Sequence, residues 1–171
     1  MIDAAVLIPV YRANDGELHI VMILRKPGGV HGGQIAFPGG KRDPEDETMV
    51  DTALREVREE LGLMVTRNDM LAELPMVQTR TTGYRVFPYL ARIAVPEQWQ
   101  TAEHEIAEIF DVKVGDLTRP NAHDKMIGRF SNWDRSEEIP FYRIGEHRLW
   151  GLSYRILRPV IPRLVAGEWN V

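Results

Sequence analysis

Three glutamates on one flank of a helix carry the first chemical signal in this chain. In Arg55-Glu56-Val57-Arg58-Glu59-Glu60-Leu61-Gly62-Leu63, a helical turn of about 100° per residue places Glu56, Glu59 and Glu60 within an arc of about 100°. They lie beside the apolar stripe rather than opposite it, and no Lys or Arg separates them on that flank. Like charges at this spacing cost a helix roughly 0.2–0.5 kcal/mol per pair. A hard divalent cation removes the repulsion. Mg²⁺ takes one or two protein carboxylates, keeps several waters and completes its shell with phosphate oxygens, which suits a pair such as Glu56 and Glu60. A solvated acidic helix face accounts for the same residues, so the helix alone leaves both readings open. The preceding Phe37-Pro38-Gly39-Gly40 permits a tight turn and close backbone approach, so its amides or carbonyls can reach the same cation or a phosphate. Loop and helix together point to metal-assisted chemistry on a phosphate.

These groups need a frame. Residues 4–11 and 18–25 are β-rich runs around the turn signal Asn14-Asp15-Gly16, which predicts an opening hairpin. Six Gly and two Pro between Pro27 and Gly40 predict a loop, a short strand at Ile35-Ala36-Phe37, and a second loop. Val50, Ala53, Leu54, Val57 and Leu61 then recur at helical spacing over about residues 46–61, with Gly62 as the stop. Residues 70–78 and 84–95 are β-rich, and 105–114 reads as a further strand, though its pattern also suits a helix. Residues 118–135 carry little pattern, with Asn121-Ala122-His123-Asp124 read as loop. A strand at 141–144, a turn at Gly145-Glu146 and a final helix over 149–164 complete the chain, with Pro159 and Pro162 expected to bend or fray that helix. The order lacks a regular βαβ rhythm. It predicts an α/β protein, a mixed sheet with helices on its faces.

Composition narrows the function classes. A chain of 171 residues, 44% hydrophobic and 27% charged, has the size of one domain, expected to span residues 1–171. Its net charge of −4 argues against a nucleic-acid partner, whose phosphates call for a basic surface. A small anionic substrate remains compatible, since a local Arg/Lys cluster or a bound cation offsets its charge. With no Cys, thiolate metal sites, disulfides and cysteine nucleophiles are excluded. The start MIDAAVLIPVY lacks the features of a signal peptide, and no apolar run approaches the roughly 20 residues of a membrane span, so a cytoplasmic protein without a membrane partner is expected.

The two stretches resemble the Nudix family. Its box runs Gly, five residues, Glu, seven residues, Arg-Glu, an aliphatic, any residue, Glu-Glu, any residue, Gly, an aliphatic. Glu47, seven residues and Arg55 to Leu63 match the second part completely. In the first part Gly40 is separated from Glu47 by six positions, one more than the pattern, so the box covers about residues 40–63 with the extra residue placed ahead of the helix. The resemblance implies a Nudix-type α/β/α sandwich. It also implies hydrolysis of a diphosphate by in-line attack of water, assisted by Mg²⁺ or Mn²⁺. Carried over by position, Glu56 and Glu60 are the principal metal ligands, Glu59 is a further ligand or acts through water, and Arg55 orients these carboxylates. Glu47 is expected as the partner of Arg55 or as an outer-shell group, and Gly62 as a structural residue of the box. The group that accepts the proton of water often lies outside the box, or is the first Glu of the Arg-Glu pair, here Glu56. Glu105, opening Glu105-Ile106-Ala107-Glu108-Ile109-Phe110, is the candidate, with Glu103 and Glu108 as alternatives.

Several stretches outside the box resemble the coenzyme A pyrophosphatase branch: residues 4–9, 31–41, 52–56, 83–89 and 149–152. The six-residue spacing before Glu47 is also usual there. Arg25-Lys26-Pro27-Gly28-Gly29-Val30 is shorter than the branch's segment and lacks its Ser and Leu. The implied reaction splits coenzyme A or a derivative into adenosine 3',5'-bisphosphate and 4'-phosphopantetheine. Arg25, Gln34, Phe37, Gly39, Gly40 and Lys41 are the expected substrate contacts, and Lys26, Arg42, Arg80 and Arg85 further candidates for anion contact. His31 is singled out only by its place in the resemblance. Homodimers are common among such relatives. Diphosphatases acting on ADP-ribose, dinucleotides or oxidised nucleotides use the same box, and a non-catalytic nucleotide-sensing module is the alternative of another class, although such modules tend to lose box carboxylates that are all present here.

Overall fold

The computed structural model describes residues 1–28, 32–79, 82–128 and 136–171. His31 and Arg80 lie outside them. Strands β1 (Ile2–Arg12) and β2 (Leu18–Arg25) form the expected antiparallel hairpin, with Val10 opposite Ile20. Two short strands follow, β3 (Ile35–Ala36) and β4 (Gly39–Lys41). The second was expected to be loop. It pairs antiparallel with β1, Gly39 opposite Val6 and Lys41 opposite Ala4.

Helix α1 (Met49–Leu61) begins three residues later than its apolar spacing suggested. Thr48 is the reason: its hydroxyl accepts from the Asp51 amide while the Asp51 carboxylate accepts from the Thr48 amide, a reciprocal cap that fixes the start. Gly62, at φ 67°, closes the helix in the left-handed conformation. The β-rich run at 70–78 is broken into β5 (Met70–Glu73) and β6 (Val77–Gln78), both antiparallel to β7 (Tyr84–Arg92). β8 (Ile106–Lys113) pairs with β2, so Glu105 stands just ahead of a strand.

After the short helix α2 (Val114–Leu117) comes a second, three-stranded antiparallel sheet of β9 (His123–Gly128), β10 (Glu137–Ile144) and β11 (His147–Trp150). His123 and Asp124, read from sequence as loop, open β9 and pair with Tyr142 and Phe141. The predicted last helix is two: α3 (Gly151–Leu157) and α4 (Val160–Val165), while Leu149 and Trp150 end a strand. Pro159 has no amide to continue α3. Pro162, in the first turn of α4, occupies a position where a missing amide costs nothing.

Among the described residues the main sheet has eight strands. β1 sits at its centre, antiparallel to β2 and parallel to β7. Its residues alternate between two cores. Ala5 and Leu7, with Val21 and Ile23 of β2, pack against Ala53, Val57 and Leu61 of α1. Ala4, Ile8 and Val10, with Ile20 and Met22, pack on the other face against Ile156, Leu157, Val160, Ile161 and Leu164 of α3 and α4. The result is the expected mixed sheet between helices, an α/β/α sandwich.

Candidate active site

A cleft of about 780 Å³ opens where β4, the acidic flank of α1, the turn before β8 and the start of α3 meet. Glu56, Glu59, Glu60 and Glu105 all line it, as do Arg25, Gln34, Phe37, Gly39, Gly40 and Lys41. The lining also includes Val6, Tyr84, Val86, Trp150, Leu152 and Ile156.

Arg55 organises one half of the acidic floor. Its Nη1 donates to Glu56 Oε1 at 3.0 Å and Glu59 Oε2 at 3.1 Å, while Nη2 donates to the Lys41 carbonyl at 2.9 Å. The same guanidinium reaches both oxygens of Asp46, Nε to Oδ1 at 3.2 Å and Nη2 to Oδ2 at 3.0 Å. Asp46 also accepts from the Asp43 amide and the Thr52 hydroxyl. These contacts, the Arg55 bond foremost, hold its carboxyl down at about 2 and raise the pKa of Arg55 in return.

Asp46 therefore takes the place expected of Glu47, which is exposed and gives its backbone carbonyl to Arg42. The physical reason lies in the chain length: five residues separate Gly40 from Asp46, the box spacing, so the extra residue falls between Asp46 and Arg55 and not ahead of the acidic position. That spacing was the signal by which sequence reasoning could have found Asp46.

Glu60 organises the other half. It is 1% exposed, yet both its oxygens are engaged: Oε1 by Arg25 Nη1 at 2.9 Å and Oε2 by the Gly39 amide at 2.8 Å. Burial pushes its pKa up to about 7, against the opposing pull of the Arg25 charge and the Gly39 amide. Burial raises Glu56 as well, and Arg55 opposes it. Arg25 Nη2 lies 3.8 Å from Glu105, whose other oxygen faces His104 Nε2 at 3.1 Å.

The backbone of β4 makes the close approach possible. A Cβ on Gly40 would stand 2.3 Å from Glu56 Oε1, and one on Gly39 would stand 2.2 Å from the Ala5 carbonyl. Phe37 is 2% exposed and packs in the core where it borders the cleft. Arg42 donates to the carbonyls of Asp46 and Glu47, and Arg85 makes two bonds to Asp3, so both are engaged in structural contacts. The Lys26 amide donates to the Glu105 carbonyl, and Lys41 Nζ lies 5.8 Å from the Tyr84 ring centroid. Glu103 and Glu108 stand outside the cleft lining.

The carboxylates of α1 form an all-oxygen, hard donor set that fits Mg²⁺ or Mn²⁺. The Glu56 carboxylate lies against the Gly40 backbone, and both line the cleft. Among the described residues no three His, Cys, Asp or Glu side chains converge to hold a metal as they stand. The oxygens are turned instead toward Arg25, Arg55 and the Gly39 amide. No helix among the described residues is long and apolar enough to cross a membrane.

Comparison with known proteins agrees with this geometry. The mitochondrial coenzyme A diphosphatase NUDT8 of Mus musculus is 32% identical over 176 residues, covering 98% of this chain and 80% of that protein. The uncharacterized Nudix hydrolase NudL of Salmonella paratyphi B is 32% identical, covering 91% and 79%. A MutT/nudix family protein from Enterococcus faecalis superposes with a TM-score of 0.70 at 20% identity, covering 96% of this chain and 62% of that one, and so shares the fold. A family model described as the NUDIX domain matches residues 1–139. On that match and those relatives, the chain belongs to the Nudix hydrolase family.

Proposed function

We propose that the protein hydrolyses the diphosphate of coenzyme A or a derivative, giving adenosine 3',5'-bisphosphate and 4'-phosphopantetheine, with the help of Mg²⁺ or Mn²⁺. The observation that carries the reading is that Glu56, Glu59, Glu60 and Glu105 line one cleft together with the apolar side chains of Val86, Trp150, Leu152 and Ile156. Glu56 and Glu60 would hold the metal, with Glu59 as a further ligand or acting through water, and the ion would polarise the phosphate oxygens and the attacking water. Arg55 fixes the carboxylates of Glu56 and Glu59 in place. Glu105, exposed at the cleft, accepts a proton from water as its oxygen bonds to phosphorus and the bridging oxygen–phosphorus bond breaks, the bridging oxygen leaving with the bonding electrons. Lys41 supplies positive charge beside Tyr84 in the cleft lining.

Two supports favour coenzyme A within the family. The mouse relative is named as a coenzyme A diphosphatase. Tyr84, Val86, Trp150, Leu152 and Ile156 offer a surface for the uncharged parts of such a substrate, as ligand sites commonly do beside a few convergent polar groups.

The test is kcat/KM for coenzyme A, dephospho-coenzyme A, ADP-ribose and a dinucleotide under identical metal conditions, with product identification. Coenzyme A is expected to lead. Preference for ADP-ribose by about tenfold, some 1.4 kcal/mol, overturns the coenzyme A assignment and leaves a general Nudix diphosphatase. Binding of all four without turnover at saturating metal marks a nucleotide-sensing module instead.

A further inference from the structure

The acidic floor carries its own cations. Two guanidiniums divide four carboxylates between them, Arg55 on Glu56 and Glu59, Arg25 on Glu60 and, at 3.8 Å, Glu105. The two arginines are held very differently. Arg55 is also fixed by both oxygens of buried Asp46 and by the Lys41 carbonyl, so it stays if Glu56 and Glu59 turn away. Among the described residues the guanidinium of Arg25 meets only the two cleft carboxylates, and its side chain is 29% exposed.

The two oxygens of Glu60 differ in the same way. Oε2 accepts from the Gly39 amide, and Gly39 is locked in β4 against Val6 of β1. Among the described residues Oε1 accepts from Arg25 alone. A carboxylate this buried needs a positive partner, and a second cation arriving at Oε1 meets the first in the same small volume.

We propose that Arg25 is the resident counter-ion of Glu60 in the metal-free protein and competes with the divalent cation for Glu60 Oε1. The inference rests on the reading of Glu60 as a metal ligand. It reassigns Arg25 from substrate contact to a positioning residue that sets metal affinity. A supporting residue and a competing one predict opposite signs for the same measurement. Where Arg25 merely props Glu60 in place, its loss weakens metal binding; where it competes, its loss strengthens it.

The experiment is Mn²⁺ binding to the full chain without substrate, by calorimetry or by the Mn²⁺ resonance signal, for wild type, R25Q, R25K and E60Q. R25Q is expected to bind Mn²⁺ about fivefold or more tightly, the lower end of ordinary coupling between two sites. R25K, which keeps the charge, is expected to stay near wild type. Equal or weaker binding in R25Q overturns the proposal.

Removing Arg25 leaves Glu60 buried without a cationic partner, so R25Q is expected to melt at a lower temperature than wild type without metal, and Mn²⁺ is expected to raise its Tm by more than it raises that of wild type. Should R25Q be unfolded without metal, recovery of its fold on Mn²⁺ titration supports the proposal, and failure to recover at saturating Mn²⁺ overturns it. E60Q separates the two layers of the argument. If E60Q binds Mn²⁺ as wild type does, the ligand reading of Glu60 fails. If E60Q loses binding and R25Q gains none, only the counter-ion role of Arg25 fails.

Discussion

Arg55 and Asp46 form a two-pronged ion pair, Nε to Oδ1 at 3.2 Å and Nη2 to Oδ2 at 3.0 Å, with the Asp46 side chain buried at the foot of α1. This pair ties the loop after β4 to the helix that bears the acidic flank. D46N removes the charge that anchors Arg55 and is expected to lower stability by about 1.5–3 kcal/mol, the usual worth of a hydrogen bond to a charged group. Turnover falls with it, since Glu56 and Glu59 lose a fixed donor. E47Q is expected to leave both nearly unchanged, because that side chain is exposed. Urea melts and steady-state kinetics on the two variants decide between the positions.

The same pair sets an acid limit. Asp46 is held at about 2 in the folded protein, below the ordinary carboxylate value of 3.8. A depressed folded pKa contributes stability that is complete above the unfolded value and is lost as pH falls from about 4 toward 2. Melting temperatures taken across that window are expected to drop more steeply for wild type than for D46N. Parallel curves would assign the acid sensitivity to other carboxylates.

Neighbouring glycines of β4 are expected to fail in different ways. An added Cβ on Gly39 meets backbone, the Ala5 carbonyl at 2.2 Å and Val6 Cα at 2.7 Å, so G39A is expected to cost about 1–3 kcal/mol or more in stability. On Gly40 it meets the Glu56 carboxylate, the far end of a side chain that can swing aside. G40A is therefore expected to keep its Tm near wild type and lose metal affinity and turnover. Calorimetric melts and Mn²⁺ titration check the pair.

Glu105 and Glu56 are separable by the same titration. As a proton acceptor Glu105 matters to the chemical step, and E105Q is expected to lower kcat by about 10²- to 10⁴-fold with Mn²⁺ affinity unchanged. E56Q is expected to weaken Mn²⁺ binding directly. Equal loss of affinity in both variants would make Glu105 a ligand.

Trp150 tests the apolar part of the cleft lining. Aromatic stacking on a base is worth about 1–3 kcal/mol by alanine substitution, so W150A is expected to raise KM for coenzyme A by about five- to 150-fold with little change in kcat. A selective loss of kcat would move Trp150 toward the reacting groups.

Much of this was legible in the sequence for definite reasons. The hairpin of β1 and β2 follows from alternation around Asn14-Asp15-Gly16, and α1 from the spacing of Ala53, Val57 and Leu61, because periodicity reports directly on burial. The carboxylate cluster was legible because its members are close in sequence and on one helix. The partners of those carboxylates were not. Arg25 reaches Glu60 across 35 positions, and only the packing of β2 beside α1 brings them together. Asp46 was missed because a box read from its Arg-Glu end makes Glu47 the conspicuous acid. Gly39–Lys41 gave no strand pattern, since two glycines carry no side-chain alternation, and their pairing with β1 is a tertiary fact. The division of the last helix turned on where Pro159 fell within a pattern that otherwise continued.

The central place of β1 bears on how the chain reaches this fold. Its antiparallel neighbour β2 is local, but its parallel neighbour is β7, with Ile2 opposite Tyr84 and Val10 opposite Arg92. Pairings over such distances close a long loop before any contact repays it, which slows folding. Until β7 docks, one edge of β1 stays open, and that edge borders the most apolar segment of the chain's opening, Ala4 to Val10. Newly made or refolding molecules are thus most prone to join strand to strand at β1, and dilution or a chaperone that shields this edge should raise the yield of folded protein more than any change at the cleft.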